Sequence, residues 1–289
     1  MAMTYAERAA GTFREWFHRC RTEIDALVFD VDGVLMIKGD PMPGAEELLA
    51  AVRADGIPFT LLTNDGCSSP EEKCAKLATS GLHIDPGELV SCGHGLEELV
   101  RQRQWTGEPV FVMGRLGEPS YAERAGLVEV TDLNRIRECR AAIIGENTFD
   151  WQHTLEATFN VLIQQPDFPL IVPNPDSYFP GRNGRLHIGS GALGRFIEAL
   201  CRAHGLDVIP EYLGKPYTPI LQCAHNRLEC RAGHAIKPDR VMLVGDSVAS
   251  DIAGGLRFGY RTALVLTGIT RPEMRLLDES SPEFVFRTL

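Results

Sequence analysis

The amino-acid sequence predicts an α/β protein built on a largely parallel sheet. Short apolar runs, several of them rich in β-branched residues, recur along the chain, and such runs are typical of buried parallel strands. Stretches with apolar residues at helical spacing lie between these runs, and Gly56 and Gly205 mark the ends of two of them. The alternation of strand-like and helix-like segments indicates that helices connect parallel strands.

The predicted elements follow directly from these patterns. The strands are expected at 26–29, 59–62, 110–113, 141–144, 170–172, 241–244 and 263–266, and helices at 44–54, 71–79 and 191–204. Near the N-terminus, Tyr5, Ala9, Phe13 and Phe17 recur every four positions, which predicts an amphipathic helix that packs on the rest of the protein. We find no internal repeat and no flexible linker, so domain boundaries have to come from motifs.

Composition excludes several classes of protein. The chain has 289 residues, with 29 basic and 39 acidic side chains and a formal net charge of -10 at pH 7. Without a block of lysine or arginine, nucleic acid is not the expected partner. No apolar run approaches the roughly 20 residues of a membrane-spanning helix, so no membrane partner is expected. The 8 cysteines are scattered, which favours free thiols and a cytoplasmic protein.

The strongest signal for chemistry comes directly after the first apolar strand, where Asp30 and Asp32 precede Gly33. Alternate residues of an extended strand point to one side, so the two carboxylates are expected to converge at the sheet edge where open α/β sheets bind ligands. A calcium loop does not fit, because Leu35 stands where that loop needs glycine. A simple Asp-Gly turn remains an alternative on this motif alone.

Three further motifs place polar groups at predicted strand ends or helix starts. Thr63 and Asn64 follow the second strand, Lys215 lies between a glycine and a proline, and Asp246 and Asp251 follow the strand at 241–244. Each has a simpler interpretation as a turn, a surface lysine or a helix cap. Their joint occurrence favours a site for a phosphate and a metal ion over a set of independent turns.

The ordered set of motifs resembles that of the haloacid dehalogenase superfamily. The matching residues are Asp30-Val31-Asp32-Gly33, Thr63-Asn64, Gly214-Lys215-Pro216, and Gly245-Asp246 with Asp251. Further segments resemble its NagD-like subfamily, namely Val172-Pro173-Asn174-Pro175-Asp176, Gly189-Ser190-Gly191-Ala192-Leu193 and Leu266-Thr267-Gly268-Ile269.

This resemblance implies a doubly wound, Rossmann-like core that carries a large inserted α/β cap domain. The core is expected at 24–86 and 205–289, which makes it discontinuous in sequence, and the cap at 87–204. Residues 1–23 lie outside the resemblance and form an N-terminal helical extension. Cap-mediated homodimers are common among relatives, so a homodimer is a possible state.

The resemblance also implies roles for the motif residues. Asp30 would attack phosphorus and form an aspartyl-phosphate, and Asp32 would act as general acid and then general base. Mg²⁺ would be held by Asp30, the main-chain carbonyl of Asp32 and Asp246, with Asp251 beside the metal, either through water or by orienting Lys215.

The phosphate itself would be bound by the second and third motifs. We expect Thr63, Asn64 and Lys215 to contact its oxygens. Asp65 departs from the family pattern, where asparagine is frequent; it can bind a substrate cation, alter selectivity or turn outward.

The expected function is Mg²⁺-dependent hydrolysis of a small phosphorylated metabolite. Sugar phosphates, nucleoside monophosphates, phosphoglycolate and pyridoxal phosphate are the candidate substrate classes. Asn174, Asp176 and Tyr178 form a polar cluster after an apolar strand and are candidates for reading the leaving group, although Asn-Pro and Pro-Asp also build turns. The alternative is a non-catalytic binder of a phosphorylated ligand, which the presence of Asp32 disfavours.

Overall fold

The computed structural model describes residues 3–146, 149–180, 185–275 and 281–289. Within these residues the α-helices are α1 (Tyr5–Arg8), α2 (Phe13–Cys20), α3 (Ala45–Ala54), α4 (Pro70–Thr79), α5 (Gly95–Arg103), α6 (Tyr121–Arg124), α7 (Trp151–Gln164), α8 (Ser190–Ala203), α9 (Thr218–Ala232) and α10 (Ala253–Phe258).

The strands of the described residues are β1 (Ala26–Asp30), β2 (Met36–Ile37), β3 (Asp40–Pro41), β4 (Phe59–Thr63), β5 (Leu89–Ser91), β6 (Pro109–Met113), β7 (Val128–Val130), β8 (Ala142–Ile144), β9 (Leu170–Val172), β10 (Tyr178–Pro180), β11 (Leu186–Ile188), β12 (Glu211–Tyr212), β13 (Val241–Gly245), β14 (Arg261–Val265) and β15 (Phe284–Phe286). All seven predicted strands and all three predicted helices are present, with ends that differ from the predicted ones by at most two residues.

The chain forms two compact units. The first contains 1–63, 74–90 and 215–289, and the second contains 64–73 and 91–214. The predicted boundaries differ from this division, because 64–73 and 205–214 lie in the second unit and 87–90 in the first. The short strand β12 explains part of the difference, since it pairs with β9 of the second unit.

The first unit contains a six-stranded sheet in the order β15-β14-β13-β1-β4-β5. From β1 the chain continues outward through β4 to β5, and it later returns to β13 on the other side of β1. The strand order therefore reverses between β1 and β13, and open α/β sheets bind ligands at such a reversal. The paired strands β13, β1 and β4 run parallel and are buried along their whole length.

The second unit has its own parallel sheet, in the order β12-β9-β8-β6-β7. An antiparallel hairpin of β10 and β11 follows β9 in the chain. Apolar residues from both faces of this sheet form two clusters, one with α7 and α8 and the other with α5 and α6. The predicted α/β class with parallel sheets is confirmed.

The N-terminal residues form two short helices, where the sequence pattern predicts one. Gly11 has φ +44°, and the Thr12 side chain accepts a hydrogen bond from the Glu15 amide, so a new helix begins at Phe13. Tyr5, Phe13 and Phe17 are nonetheless buried in the first unit, as their spacing predicts. Among the described residues, no helix combines the length and apolar character needed to cross a membrane.

Candidate active site

The candidate site lies at the carboxyl ends of three neighbouring strands of the first unit. Asp30 ends β1, Thr63 ends β4, and Asp246 directly follows β13. Register pairs Phe29 with Val244 and Asp30 with Leu62, so these three ends lie at one edge of the sheet. The sequence places strand-end residues here because parallel strands present their carboxyl ends together.

Lys215 connects two of the predicted aspartates. Its ammonium lies 2.6 Å from Oδ1 of Asp30 and 2.7 Å from Oδ1 of Asp251, and it donates to the Leu62 carbonyl at 3.2 Å. The lysine and both aspartates are buried. A lysine held this way is fixed by charge-assisted hydrogen bonds, which excludes its interpretation as an ordinary surface side chain.

Three carboxylates converge at this position. Asp30, Asp246 and Asp251 each offer an oxygen within 4.8 Å of the others, and all three residues are buried. Together they carry more negative charge than the single ammonium of Lys215 balances. Carboxylate oxygens are the kind of donor that a hard divalent cation such as Mg²⁺ takes, so the residues present fit the expected metal.

The pKa values of Asp30, Asp246 and Lys215 are all shifted by burial and by the charges of their neighbours. Burial raises the pKa of Asp30 well above its ordinary range, against the opposing charge of Lys215. Burial, reinforced by the charge of Asp251, raises the pKa of Asp246 to about 7. Burial opposes the charged form of Lys215, but its ion pairs with Asp251 and Asp30 outweigh this and raise its pKa. A bound cation would stabilise the ionised aspartates.

Asp251 has a second function in the local structure. Its Oδ2 accepts hydrogen bonds from the amides of Asp246 and Ser247, at 3.2 and 3.0 Å. The side chain therefore fixes the turn that follows β13 while its other oxygen contacts Lys215.

Asp32 lies in a different environment from Asp30. It follows the end of β1 in a turn and is exposed, whereas Asp30 is buried. Gly33 adopts φ +92° and donates its amide to the Met36 carbonyl at 2.7 Å, which turns the chain directly after Asp32. An exposed carboxyl group is accessible to a substrate oxygen and to a water molecule, which the role expected of Asp32 requires.

The two residues of the second motif fall in different units. Thr63 is buried at the end of β4 in the first unit, and Asn64 begins the second unit. The Asn64 amide donates to both oxygens of Asp176, at 3.2 Å each. Asp65 forms an ion pair with Lys73 at 3.0 Å and accepts the Cys67 amide at 3.0 Å.

The predicted specificity cluster of the second unit is only partly exposed. Asn174 is buried and donates to Glu146, while its Oδ1 accepts the Asp176 amide at 2.9 Å. Tyr178 has 57% of its surface exposed. Burial raises the pKa of Glu146 to about 7, against the hydrogen bond from Asn174.

Three residues that contact the predicted ones lie outside the sequence motifs, namely Glu146, Ser91 and Cys92. Glu146 follows β8 closely, so the strand-end criterion that identified Asp30 could have found it. The Ser91 hydroxyl donates to the Asp65 carbonyl at 2.7 Å, and the Cys92 thiol donates to the Asn64 carbonyl at 3.1 Å. No local sequence signal indicates these two contacts, because they join segments more than twenty residues apart.

The chain is similar to known proteins in both sequence and fold. Residues 27–128 match a family model described as haloacid dehalogenase-like hydrolase, and residues 212–289 match a HAD-hydrolase-like model. Glycerol-3-phosphate phosphatase of Homo sapiens is 30% identical over 273 residues, which cover 86% of this chain and 80% of that protein. Dihydroxyacetone phosphatase of Corynebacterium glutamicum (strain R) is 27% identical over 241 residues, covering 83% and 80%.

A third relative is similar to this chain in both sequence and fold. Ribonucleotide monophosphatase NagD of Escherichia coli (strain K12) is 27% identical over 248 residues, covering 86% of this chain and 89% of that protein. The solved structure of NagD from the K-12 strain has a TM-score of 0.74 at 25% identity, covering 92% of this chain and 96% of that one. The chain therefore belongs to the haloacid dehalogenase superfamily of hydrolases. Within it, the protein is a phosphomonoesterase of the NagD-like subfamily.

Proposed function

We propose that the protein hydrolyses a small phosphomonoester with Mg²⁺, through an aspartyl-phosphate formed on Asp30. The observation that carries this proposal is the position of the Asp30 carboxylate. It is buried at the end of β1, 2.6 Å from Lys215, and its oxygen lies within 4.8 Å of oxygens of Asp246 and Asp251.

The carboxylates of Asp30 and Asp246 would hold Mg²⁺, together with the main-chain carbonyl of Asp32. Asp251 is close enough to ligate directly or through water. The bound cation would reduce the repulsion between the carboxylate nucleophile and the negatively charged phosphoryl group.

The protein residues divide the reaction into two displacements. In the first, an oxygen of Asp30 attacks phosphorus, the bond from phosphorus to the ester oxygen breaks, and Asp32 donates its proton to that oxygen. In the second, Asp32 takes a proton from a water molecule that attacks phosphorus, and the bond to Asp30 breaks to release phosphate. Thr63 and Lys215 would bind the phosphoryl oxygens throughout.

The proposed substrates are small metabolites such as sugar phosphates, nucleoside monophosphates, phosphoglycolate or pyridoxal phosphate. Three-carbon phosphates join this set, because the phosphatases named above include those of glycerol 3-phosphate and dihydroxyacetone phosphate. We assign selection of the leaving group to the second unit. Asp176 and exposed Tyr178 are its candidate contacts, and buried Asn174 supports their loop.

A phosphate-release screen tests the proposal. The wild-type protein is assayed on a panel of these esters, with Mg²⁺ and with EDTA, beside Asp30→Asn. We expect release only with Mg²⁺ and no release by Asp30→Asn, whose fold is checked by circular dichroism. Asp25→Asn is the matched control, because Asp25 is exposed just before the start of the same strand and pairs with Arg240.

The outcomes separate the two candidate functions. No release from any ester, combined with tight binding of one of them, would favour the non-catalytic binder. Full activity of Asp30→Asn would contradict the proposed nucleophile.

A further inference from the structure

Asp246 is oriented by a segment that follows β14. The amide of Ile269 donates to Oδ2 of Asp246 at 2.6 Å, and the amide of Thr270 donates to the Asp246 carbonyl at 3.1 Å. Gly268 lies against the same carboxylate, since a Cβ atom on it would be 1.7 Å from Oδ2. The segment therefore fixes one carboxylate oxygen of Asp246 and so orients its side chain.

The same segment also contacts the first and fourth motifs. Thr267 donates its hydroxyl to the Gly33 carbonyl at 2.6 Å, next to Asp32. The hydroxyl of Thr270 accepts the amide of Val248 at 3.2 Å, in the helical turn that contains Asp251. A displacement of this segment would therefore shift the contacts that it makes with Gly33, Asp246 and Val248.

The far end of this segment is held by the N-terminal extension. The amide of Tyr5 donates to the Met274 carbonyl at 3.1 Å, and the amide of Ala6 donates to the Pro272 carbonyl at 2.9 Å. Residues 266–275, which we call the Asp246 loop, are therefore tied to the metal site at one end and to α1 at the other.

The side chain of Tyr5 adds a second connection. It is 1% exposed and packs in one apolar cluster with Ile252 and Leu264, against which Leu266 also packs. Ile252 ends the helical turn that carries Asp251, and Leu266 begins the Asp246 loop. Tyr5 thus packs with the helical turn that carries Asp251 and with the start of the loop that fixes the Asp246 side chain.

The extension is itself fixed along the edge of the core sheet. Ala10 donates its amide to the Val285 carbonyl at 3.0 Å, and Gly11 accepts the amide of Arg287 at 3.1 Å. These bonds run along β15, so the segment before α2 covers the outer edge of that strand. The segment that follows α1 is therefore fixed on the core sheet.

We propose that the N-terminal extension positions Asp246 and Asp251 for metal binding, with Tyr5 as the positioning residue. The proposal rests on the function proposed above, which places Mg²⁺ at these carboxylates. Groups that orient metal ligands contribute strongly to affinity, and their loss costs about 10- to 100-fold. Tyr5 acts through the Asp246 loop and not on a ligand directly, so we expect about a 3- to 10-fold loss for its truncation.

The test compares Tyr5→Ala with a control in the same extension. Trp16→Ala is the matched control, because Trp16 is also buried, with its ring 5.1 Å from that of Phe284, and it lies in a different apolar cluster from Tyr5. Both truncations leave a cavity and lower stability. Tyr5→Phe, which keeps the ring, is the conservative variant, and Tyr5→Leu is a milder change should Tyr5→Ala fail to fold.

Two readouts are taken below the unfolding temperature of every variant. Isothermal titration calorimetry with Mg²⁺ alone gives the affinity for the metal directly. The dependence of the rate of phosphate release on Mg²⁺ concentration gives the apparent affinity during turnover. We expect Tyr5→Ala, or Tyr5→Leu in its place, to weaken Mg²⁺ binding in both. Trp16→Ala should bind Mg²⁺ as the wild type does, and Tyr5→Phe should be close to it.

Each result decides between positioning and general stabilisation. Unchanged Mg²⁺ affinity in Tyr5→Ala, or in Tyr5→Leu in its place, would overturn the proposal, and so would an equal loss in Trp16→Ala, since that loss would reflect stability alone. If the wild type itself binds no Mg²⁺, the proposed function fails instead, and the two failures are distinguishable.

Discussion

The Nζ atom of Lys215 lies 2.6 Å from Oδ1 of Asp30, the carboxylate that we propose as the nucleophile. The same ammonium contacts Asp251 at 2.7 Å, so one cation is shared between two buried carboxylates. This arrangement keeps Lys215 charged despite its burial. It also brings a positive charge to the position where a phosphoryl group would bind.

Replacement of Lys215 by methionine should therefore lower both stability and activity. Removing one partner of a buried ion pair costs about 3 to 5 kcal/mol, because the remaining charges are unpaired. Loss of the phosphate contact should reduce kcat by roughly 100-fold or more. Urea unfolding without metal and a phosphate-release assay measure these effects. Lys237→Met, at an exposed position, is the control, and equal stability of the two variants would contradict the prediction.

Mg²⁺ should stabilise the folded protein, and protons should compete with it. A ligand at 100 times its dissociation constant adds about 2.7 kcal/mol to the free energy of unfolding, which thermal unfolding detects. Burial raises the pKa of Asp246 to about 7, and the metal binds the deprotonated carboxylate. The rise in Tm with Mg²⁺ should therefore be larger at pH 8 than at pH 6.

Asp246→Asn supplies the test of that assignment. It should lose the Mg²⁺-dependent rise in Tm, whereas Asp239→Asn, at an exposed position on the same unit, should keep it. A full response to Mg²⁺ in Asp246→Asn would show that the metal binds elsewhere.

The sequence was sufficient to predict the strand-end residues and their fold. Asp30, Asp246 and Lys215 carry local signals, since each stands beside glycine, proline or a second aspartate at the end of an apolar run or the start of a helix. In a parallel sheet the carboxyl ends of neighbouring strands lie at one edge, so the predicted fold alone is enough to place these motifs near one another.

Other features depend on tertiary contacts that leave no local trace. The bond between Asn64 and Asp176 joins residues 112 positions apart. The strand β12 has two residues, too few to show an alternating pattern, so residues 205–214 could not be assigned to the second unit. The regular spacing from Tyr5 to Phe17 predicts one continuous helix. The backbone conformation of Gly11 and the N-cap at Thr12 break it into two, although the apolar spacing of four residues continues across the break.

Asp65 offers a prediction about selectivity. Its carboxylate is paired with Lys73 and accepts the Cys67 amide, so its charge is used within the second unit. Asp65→Asn keeps the turn and removes the ion pair. We expect the free energy of unfolding to fall by about 1 kcal/mol or less, as for partly exposed ion pairs. The order of preference among phosphate esters should stay unchanged in a substrate screen. A reordering in favour of anionic leaving groups would instead show that Asp65 contacts substrate, and Glu71→Gln, which breaks the more exposed pair with Arg124, is the control.

Glu146 should make the stability of the protein fall as the pH rises. Burial raises its pKa to about 7 in the folded state, above the value of 4.5 for an unperturbed glutamate. The folded protein therefore binds this proton more tightly than the unfolded chain does. The resulting stabilisation is complete below pH 4.5 and is lost as the pH rises to 7, with a total of about 3 kcal/mol.

Glu146→Gln removes this titration and should flatten the pH dependence. Urea unfolding at pH 5 and pH 8 in metal-free buffer measures this dependence. Between the two pH values, the free energy of unfolding of the variant should fall by about 1 to 3 kcal/mol less than that of the wild type. Asp30 and Asp246 also have raised pKa values and contribute a slope of the same sign, but both proteins share that contribution. Glu138→Gln, at an exposed position, should keep the wild-type slope. Parallel curves for the wild type and Glu146→Gln would mean that Glu146 is ionised throughout this range, and that the hydrogen bond from Asn174 outweighs the cost of burying its charge.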